Sequence, residues 1–502
     1  MSTPPLGVRL FRTKPVAALV ATANQGVALK RVLGPVDLVT FGIGGIIGTG
    51  IFATLGTAYC GDSSRPGAGP AVTLSFALTA IVCAFTALCY AELASMVPVA
   101  GSAYTYAYAA LGELCAWIIG WDLLLEYAIG NTAVAISWAA YADAFLRGLG
   151  VDLPRWLVTD YRTAAHEPAI LAAAPHVLGL PIVFNALAVG VVVGITAVLV
   201  WGVAESARFN ASMVVVKMAV LIFFVLACGK FVRPAYWHPF APNGWSGVGS
   251  AAAVIFFAYI GFDAVSTCAE ECRNPGRDMP IGILGSLAIC TLIYVVVAAV
   301  FAGLVPYPQM VLLDPSRRAE ALAVVMERVH TPGWAVGVVA LGSVVAQTAV
   351  LFVFQLGQPR ILFVMARDGL LPPFFGRVHP QFRTPHVATM VTGVLVGGVS
   401  AFANIDEMVD LTNIGTLFAF ILVCAGVVVL RYREPSRARP FRVPCGRWLV
   451  PSAGIVSSLV LVAYLPRPSW WRFAAWLGCG LLVYAAYGFR RSRLRSASRR
   501  VA

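Results

Sequence analysis

The chain has 502 residues, of which 59% are hydrophobic and 12% charged, with a mean hydropathy of +0.81. Soluble domains run about 45–50% apolar and about 25% charged, so this composition excludes a soluble enzyme or binder and points to an all-α integral membrane protein. The net charge of +13 does not mark a nucleic-acid partner, because the basic residues fall in short clusters between apolar runs, the pattern of the positive-inside rule.

Met1 to Val36 is basic and Pro-rich, without an apolar core followed by a cleavage site. It reads as a cytoplasmic N-terminal tail (1–36), and the first span as a retained helix. Apolar runs of roughly 20 residues, enough to cross about 30 Å of hydrocarbon, then predict about twelve membrane helices. They fall at 37–59, 70–98, 113–146, 182–203, 209–231, 248–269, 280–305, 333–360, 386–404, 411–431, 448–466 and 470–489. An even number puts both ends on one side. With the ends inside, 24 lysines and arginines are cytoplasmic and 11 external, so both termini are expected in the cytoplasm and the protein in the inner (plasma) membrane. The longest stretches between spans, 147–181 and 306–332, fall outside and lack a domain-like alternation of strands and helices. No GxxxxGK[ST] motif occurs, so transport must draw on a gradient rather than on nucleotide hydrolysis. Most of the eleven cysteines, among them Cys83, Cys89, Cys115, Cys290, Cys424 and Cys479, lie inside apolar runs as small hydrophobes. No metal-ligand spacing is present, and no metal or cofactor is expected.

The first helix carries Gly42, Gly44, Gly45, Gly48 and Gly50 at mid-membrane depth. Each glycine costs up to about 1 kcal/mol relative to alanine in a helix. One reading is a packing seam, since Gly44 and Gly48 fit GxxxG. The favoured reading is an unwound segment after which Gly48-Thr49-Gly50 opens a second half-helix, its free N–H groups suited to a carboxylate. Unpaired backbone at that depth requires a polar cavity or surrounding protein. The sixth helix is interrupted in the same way around Phe257, Ala258, Ile260, Gly261 and Asp263. Two interrupted helices in corresponding places of two halves point to an inverted-repeat transporter, with repeats at 37–231 and 248–431, two added helices at 448–489 and a basic cytoplasmic tail at 490–502. Amides at one break and carbonyls at the other suit a zwitterion, so an α-amino acid is the expected ligand.

Lys217 sits in the middle of the fifth helix, where a charge costs several kcal/mol unless it is paired or neutralised. Its ammonium could bind carbonyls released by the first break, and reversible protonation there would couple transport to a proton gradient. Glu126 in the third helix and Asp263 in the sixth are candidates for pairing or proton relay. Glu92, Glu270 and Glu271 lie nearer the cytoplasmic ends, where they stabilise a closed gate or face water.

Five segments in this order resemble a known superfamily: Phe41 to Phe52 (FGIGGIIGTGIF), Ala91 to Tyr106 (AELASMVPVAGSAYTY), Trp121 to Tyr127 (WDLLLEY), Phe256 to Thr267 (FFAYIGFDAVST) with Glu270 to Ile283 (EECRNPGRDMPIGI), and Gln358 to Pro372 (QPRILFVMARDGLLP). Over roughly 30–490 the chain resembles the amino acid–polyamine–organocation (APC) superfamily, in particular its cationic-amino-acid-transporter branch and bacterial relatives. The resemblance implies a LeuT-type 5+5 inverted repeat with discontinuous helices 1 and 6, two further helices, and alternating access. It implies Ile46, Gly48, Thr49 and Gly50 at the substrate carboxylate and Phe257, Ala258 and Ile260 at its amino group. Lys217 would take the place of a second sodium site. Some relatives also use a small accessory membrane subunit, and membrane lipid surrounds them all.

Phe354 in the eighth helix reads as a pocket-lining ring that shortens the side-chain compartment and disfavours arginine or lysine, unless Gln355 faces inward instead. Proton-coupled uptake of a neutral amino acid is therefore the leading expectation. Obligate exchange, cationic amino acid or polyamine transport, and a non-transporting sensor are the alternatives. A membrane enzyme would need a nucleophile or metal cluster at depth, and the chain offers neither.

Overall fold

The computed structural model describes residues 12–14, 31–97, 102–165, 167–177, 179–202, 207–312, 315–382, 384–445 and 447–492. Most of the expected N-terminal tail, the basic tail from residue 493, Arg383 and the Pro98–Gly101 part of the second motif lie outside the described residues.

Nine helices among the described residues are long and apolar enough to cross a membrane. They are α1 (Pro35–Cys60), α2 (Gly69–Met96), α3 (Glu113–Gly148), α5 (Ala211–Gly229), α6 (Gly244–Ala269), α7 (Pro275–Ala302), α8 (Gly333–Arg367), α10 (Ile405–Arg433) and α12 (Arg467–Arg491). Three shorter apolar helices complete the order: α4 (Ala186–Trp201), α9 (His386–Phe402) and α11 (Leu449–Tyr464). At 16 or 17 residues these three measure about 24–26 Å. The protein is thus a mostly helical, multi-pass membrane protein.

Several helix ends differ from the hydropathy reading for local reasons. Helix α7 starts at Pro275 rather than near 280, with Pro at its first positions, where a missing N–H costs nothing. Helix α10 starts at Ile405 rather than 411, because the Asn404 side chain accepts a bond from the Asp406 N–H (3.0 Å) and caps it. Helix α8 runs through Pro359 to Arg367.

Burial sorts the helices into an inner and an outer set. In its most apolar stretch α6 is 94% buried and α1 78%, against 22% for α12. The exposed faces of the outer helices are apolar, as with Leu226, Leu292, Val394, Val456 and Leu482, which is what a lipid solvent demands. Cys479 belongs to such an exposed face and not to the core.

Both described ends of the chain meet on one side of the bundle. The Lys14 N–H donates to the Tyr108 carbonyl (3.1 Å) and its ammonium pairs with Asp368 (2.9 Å); Ser492 donates to Glu113 (2.6 Å). On this side Glu92 does not face water. It is buried, bound by Arg431 through two nitrogens and by the Val443 N–H.

The opposite side is closed by loop structure that hydropathy does not resolve. A tight hairpin pairs Gly61–Asp62 with Arg65–Pro66, and Arg65 reaches Asp410 (2.6 Å) and Asp62 (2.8 Å). The described parts of the 306–332 stretch include three short helices, Tyr307–Val311, Pro315–Glu320 and Ala321–Arg328. Its apolar run Ala321 to Met326 is buried. Glu320 anchors the segment by accepting from Arg147 (2.8 Å) and Arg317 (2.7 Å), while Arg318 holds the Gly61 carbonyl (2.7 Å).

At the centre α1 and α6 are both interrupted. Helix α1 stops at Ile46, Ile47 turns extended (φ −74°, ψ 99°), and a π-helical turn, Gly50–Thr54, restarts it. Helix α6 is α-helical over Gly244–Ile255, tightens to 3₁₀ over Phe256–Tyr259, extends at Ile260 (ψ 136°), and resumes as 3₁₀ at Asp263–Glu270. Gly261 has φ +116°, a conformation open only to glycine at low cost.

The two breaks touch backbone to backbone. A Cβ on Gly45 would lie 3.0 Å from the Gly261 oxygen, one on Gly261 2.6 Å from the Gly45 oxygen, and one on Gly50 2.1 Å from the Ala258 Cα. Because 45 faces 261 and 50 faces 258, the segments run antiparallel. Gly45, Gly50 and Gly261 thus let the two broken segments pack main chain against main chain. Gly261→Ala should consequently destabilise the protein by about 1–3 kcal/mol or more, seen as a fall in the unfolding temperature in detergent. Gly148→Ala, where an added Cβ meets nothing within 4 Å, should leave that temperature unchanged.

Candidate substrate site

An interrupted helix in hydrocarbon leaves polar backbone groups that must find partners, and four neighbouring helices supply them. The Lys217 ammonium of α5 donates to the Gly44 carbonyl (2.7 Å). Tyr294 of α7 donates to the Ile46 carbonyl (2.9 Å) and Tyr141 of α3 to the Phe52 carbonyl (2.8 Å). Asn413 of α10 donates to the α6 carbonyls of Ala253 (2.7 Å) and Val254 (3.3 Å). Lys217 is 1% exposed, and its place against the α1 break is the one expected from its position in the sequence. Nothing in the sequence singles out Tyr294, Tyr141 or Asn413. Their signal, a hydroxyl or amide in an apolar helix, is too common to single them out.

The antiparallel crossing has an electrostatic consequence. The N-terminal end of the α1 half beginning at Gly50 lies beside the C-terminal end of the α6 half closing at Tyr259, where Gly50 meets Ala258. A helix carries roughly half a positive charge at its first turn and half a negative charge at its last. The two partial charges thus stand side by side at the centre of the bundle.

The residues predicted for substrate binding converge here. Ile46, Thr49, Phe257, Ala258 and Ile260 are buried, as are Gly48 and Gly50. Thr49 donates through Oγ1 to Gln347 Oε1 of α8 (3.2 Å). A Cβ on Gly48 would come within 2.7 Å of Val350, which brings α8 against the α1 break. Phe354 stands one turn beyond Val350. Its ring meets Tyr127 edge-on (centroids 5.4 Å) and lies 3.1 Å from where a Cβ on Gly130 would sit. Gln355 is turned instead to Asn131 of α3 and to Thr196 of α4 (2.8 Å).

The coupling candidates form a second group. The charges acting on Glu126 are Asp263 and Asp122, with Thr416 as its hydroxyl neighbour. Asp263 is buried at the first turn of the segment with which α6 resumes after its break. Asp122 was not singled out from the sequence. It is fully buried one turn before Glu126, and neither of its oxygens has a hydrogen-bond partner among the described residues. The signal available was two carboxylates at i and i+4 in one apolar helix, which share a face.

The amino acid permease family model matches residues 33–485. The chain is 42% identical over 485 residues to the branched-chain amino acid permease BcaP of Bacillus subtilis (strain 168), covering 97% of this chain and 99% of that protein. It is 40% identical to the methylthioribose transporter of the same organism, at 97% and 99% coverage. It is 36% identical to the vacuolar cationic amino acid transporter 4 of Arabidopsis thaliana, at 85% and 68% coverage. Interrupted helices whose breaks meet at the bundle centre, capped by an intramembrane lysine, and a family match over nearly the whole length lead to one conclusion: the chain belongs to the amino acid permease family of the APC superfamily.

Proposed function

We propose that this permease takes up a neutral α-amino acid of small or medium size across the plasma membrane by alternating access, driven by protons. The observation that carries the reading is the pairing of opposite helix ends at the α1 and α6 breaks. Amides of Gly48, Thr49 and Gly50, beside Ile46, receive the carboxylate; carbonyls of Phe257, Ala258 and Ile260 receive the ammonium. A zwitterion uses both sets, and each is worth more in a site away from water.

The side chain of the substrate points towards α8 and α3, where Val350, Phe354 and Tyr127 offer apolar surface. That lining favours an aliphatic side chain over a cationic one, in agreement with the name of the BcaP relative. In this reading α1–α5 and α6–α10 are inverted repeats, α11 and α12 are added, all twelve helices cross the bilayer, and both termini are cytoplasmic.

Coupling is assigned to Lys217, Glu126 and Asp263. When Lys217 is protonated it ties α5 to the carbonyl of Gly44, and loss of the proton removes a charge-assisted bond from the α1 break. Glu126 and Asp263, with Asp122, are the buried carboxylates through which a proton would pass. A second reading follows from the methylthioribose relative. That substrate is a neutral thioether sugar with neither carboxylate nor ammonium, so a site of this kind need not read both charges.

Uptake into proteoliposomes tests these readings directly, using labelled leucine, alanine, arginine and methylthioribose with and without an inward proton gradient. Leucine accumulation that collapses with an uncoupler is the expected result. Flux seen only after preloading with amino acid would establish exchange, and preferential uptake of arginine or methylthioribose would overturn the substrate assignment.

Lys217→Ala should abolish proton-driven accumulation; retained pH-dependent uptake in that variant would remove Lys217 from coupling. Phe354→Ala should raise kcat/KM for phenylalanine or tryptophan relative to leucine by roughly tenfold or more, the scale of pocket-size discrimination. An unchanged profile would place Phe354 outside the side-chain compartment.

A further inference from the structure

A cavity of about 190 Å³ opens where the chain passes from α10 to α11, lined by Arg431, Pro435, Arg437, Arg439, Arg442 and Arg447. Five guanidinium groups share this one concavity, and among the described residues two carboxylates form ion pairs with them. Glu92 binds Arg431 and lies 3.5 Å from Nε of Arg439; Glu434 pairs with Arg437 (2.8 Å). Arg442 and Arg447 are exposed and have no carboxylate within ion-pair distance among the described residues. Nε of Arg439 is buried without a hydrogen-bond acceptor among the described residues. Burial, with Arg431 and Arg442 nearby, holds the Arg439 guanidinium below its usual pKa against the pull of Glu92. The cavity therefore has more positive charge than the described residues neutralise.

The surroundings indicate what completes it. Tyr432 and Trp448 flank the cavity in sequence, each 53% exposed, their rings 5.2 Å apart. Exposed tyrosine and tryptophan mark the level of lipid headgroups. From Trp448 an exposed apolar stripe runs along α11 through Leu449, Val456 and Val460, positions i, i+7 and i+11 that share one helix face. An anionic head at the arginines and a hydrocarbon tail along α11 would occupy both features at once.

We propose that this cavity binds the phosphate of an acidic phospholipid whose acyl chains lie along the exposed stripe of α11. Guanidinium forks match phosphate oxygens in geometry as well as in charge. Arg431 and Arg439 also hold Glu92 of α2, so the bound phosphate rests on the groups that tie α2 to α10.

The test uses the purified full chain in neutral detergent, with binding of short-chain phosphatidylglycerol, phosphatidylcholine and inorganic phosphate measured by native mass spectrometry. Phosphatidylglycerol should bind in preference to both. The R442A/R447A variant should lose roughly twenty-five-fold in phosphatidylglycerol affinity, two basic contacts of about a factor of five each. Its unfolding temperature in phosphatidylcholine should be unaltered, since both side chains are exposed. Lys230 and Arg233 are basic residues in the loop after α5, and K230A/R233A removes the same charge elsewhere and should leave the affinity unchanged. Equal affinity in R442A/R447A and the parent, or equal losses in the two double variants, would overturn the site. Inorganic phosphate binding as tightly as phosphatidylglycerol would overturn the lipid assignment in favour of a free phosphate anion.

Discussion

Hydrocarbon offers no hydrogen bonds, so a helix that unwinds inside a bilayer must have its freed amides and carbonyls satisfied by the protein. Much of the interior of this permease answers that requirement. Lys217, Tyr294 and Tyr141 each reach a carbonyl of α1, and Asn413 reaches two of α6. The helices that carry these groups are thereby held around the breaks. Lys217 has a converse need. A buried ammonium requires an acceptor, and the break in α1 provides one, so the charge and the broken helix stabilise each other.

The same constraint explains why the breaks lie back to back. Gly45 and Gly261, and Gly50 and Ala258, bring two main chains into contact with no side chain between them. This proximity places an amide end beside a carbonyl end and keeps lipid from both. Larger residues would separate the half-helices and lose that juxtaposition. Away from the centre, the two sides of the bundle are fastened by ion pairs, Glu320 with Arg147 and Arg317 on one side and Glu92 with Arg431 on the other. Such pairs hold firmly while water is excluded and weaken when it enters.

Membrane character, the apolar helices and the two interrupted segments were all legible in the residues alone, because hydrophobic length and glycine content are local properties. Lys217 was legible for the same reason, as a lone charge in an apolar run. Helix ends were read less well where a cap or a first-turn proline decided them, as at Asn404 and Pro275. The buried run Ala321 to Met326 was passed over because it is too short to register as a span. Glu92 stayed ambiguous between gate and solvent, since its partners Arg431 and Val443 lie more than 300 residues away along the chain.

The sequence by itself determined the solvent in which this chain folds, where its helices break and which charge would be stranded at depth. Each of these follows from the composition of a short window, for which partition between water and hydrocarbon is the governing term. Only the tertiary structure decided which carbonyl Lys217 holds, that Gln355 turns away to Asn131 and Thr196, and that Asp122 joins Glu126 and Asp263. It alone brought five arginines from one short segment around a cavity above Glu92. Those outcomes depend on distances between helices remote in sequence, and hydrogen bonds and ion pairs at separations of about 3 Å are set by packing that no local window contains.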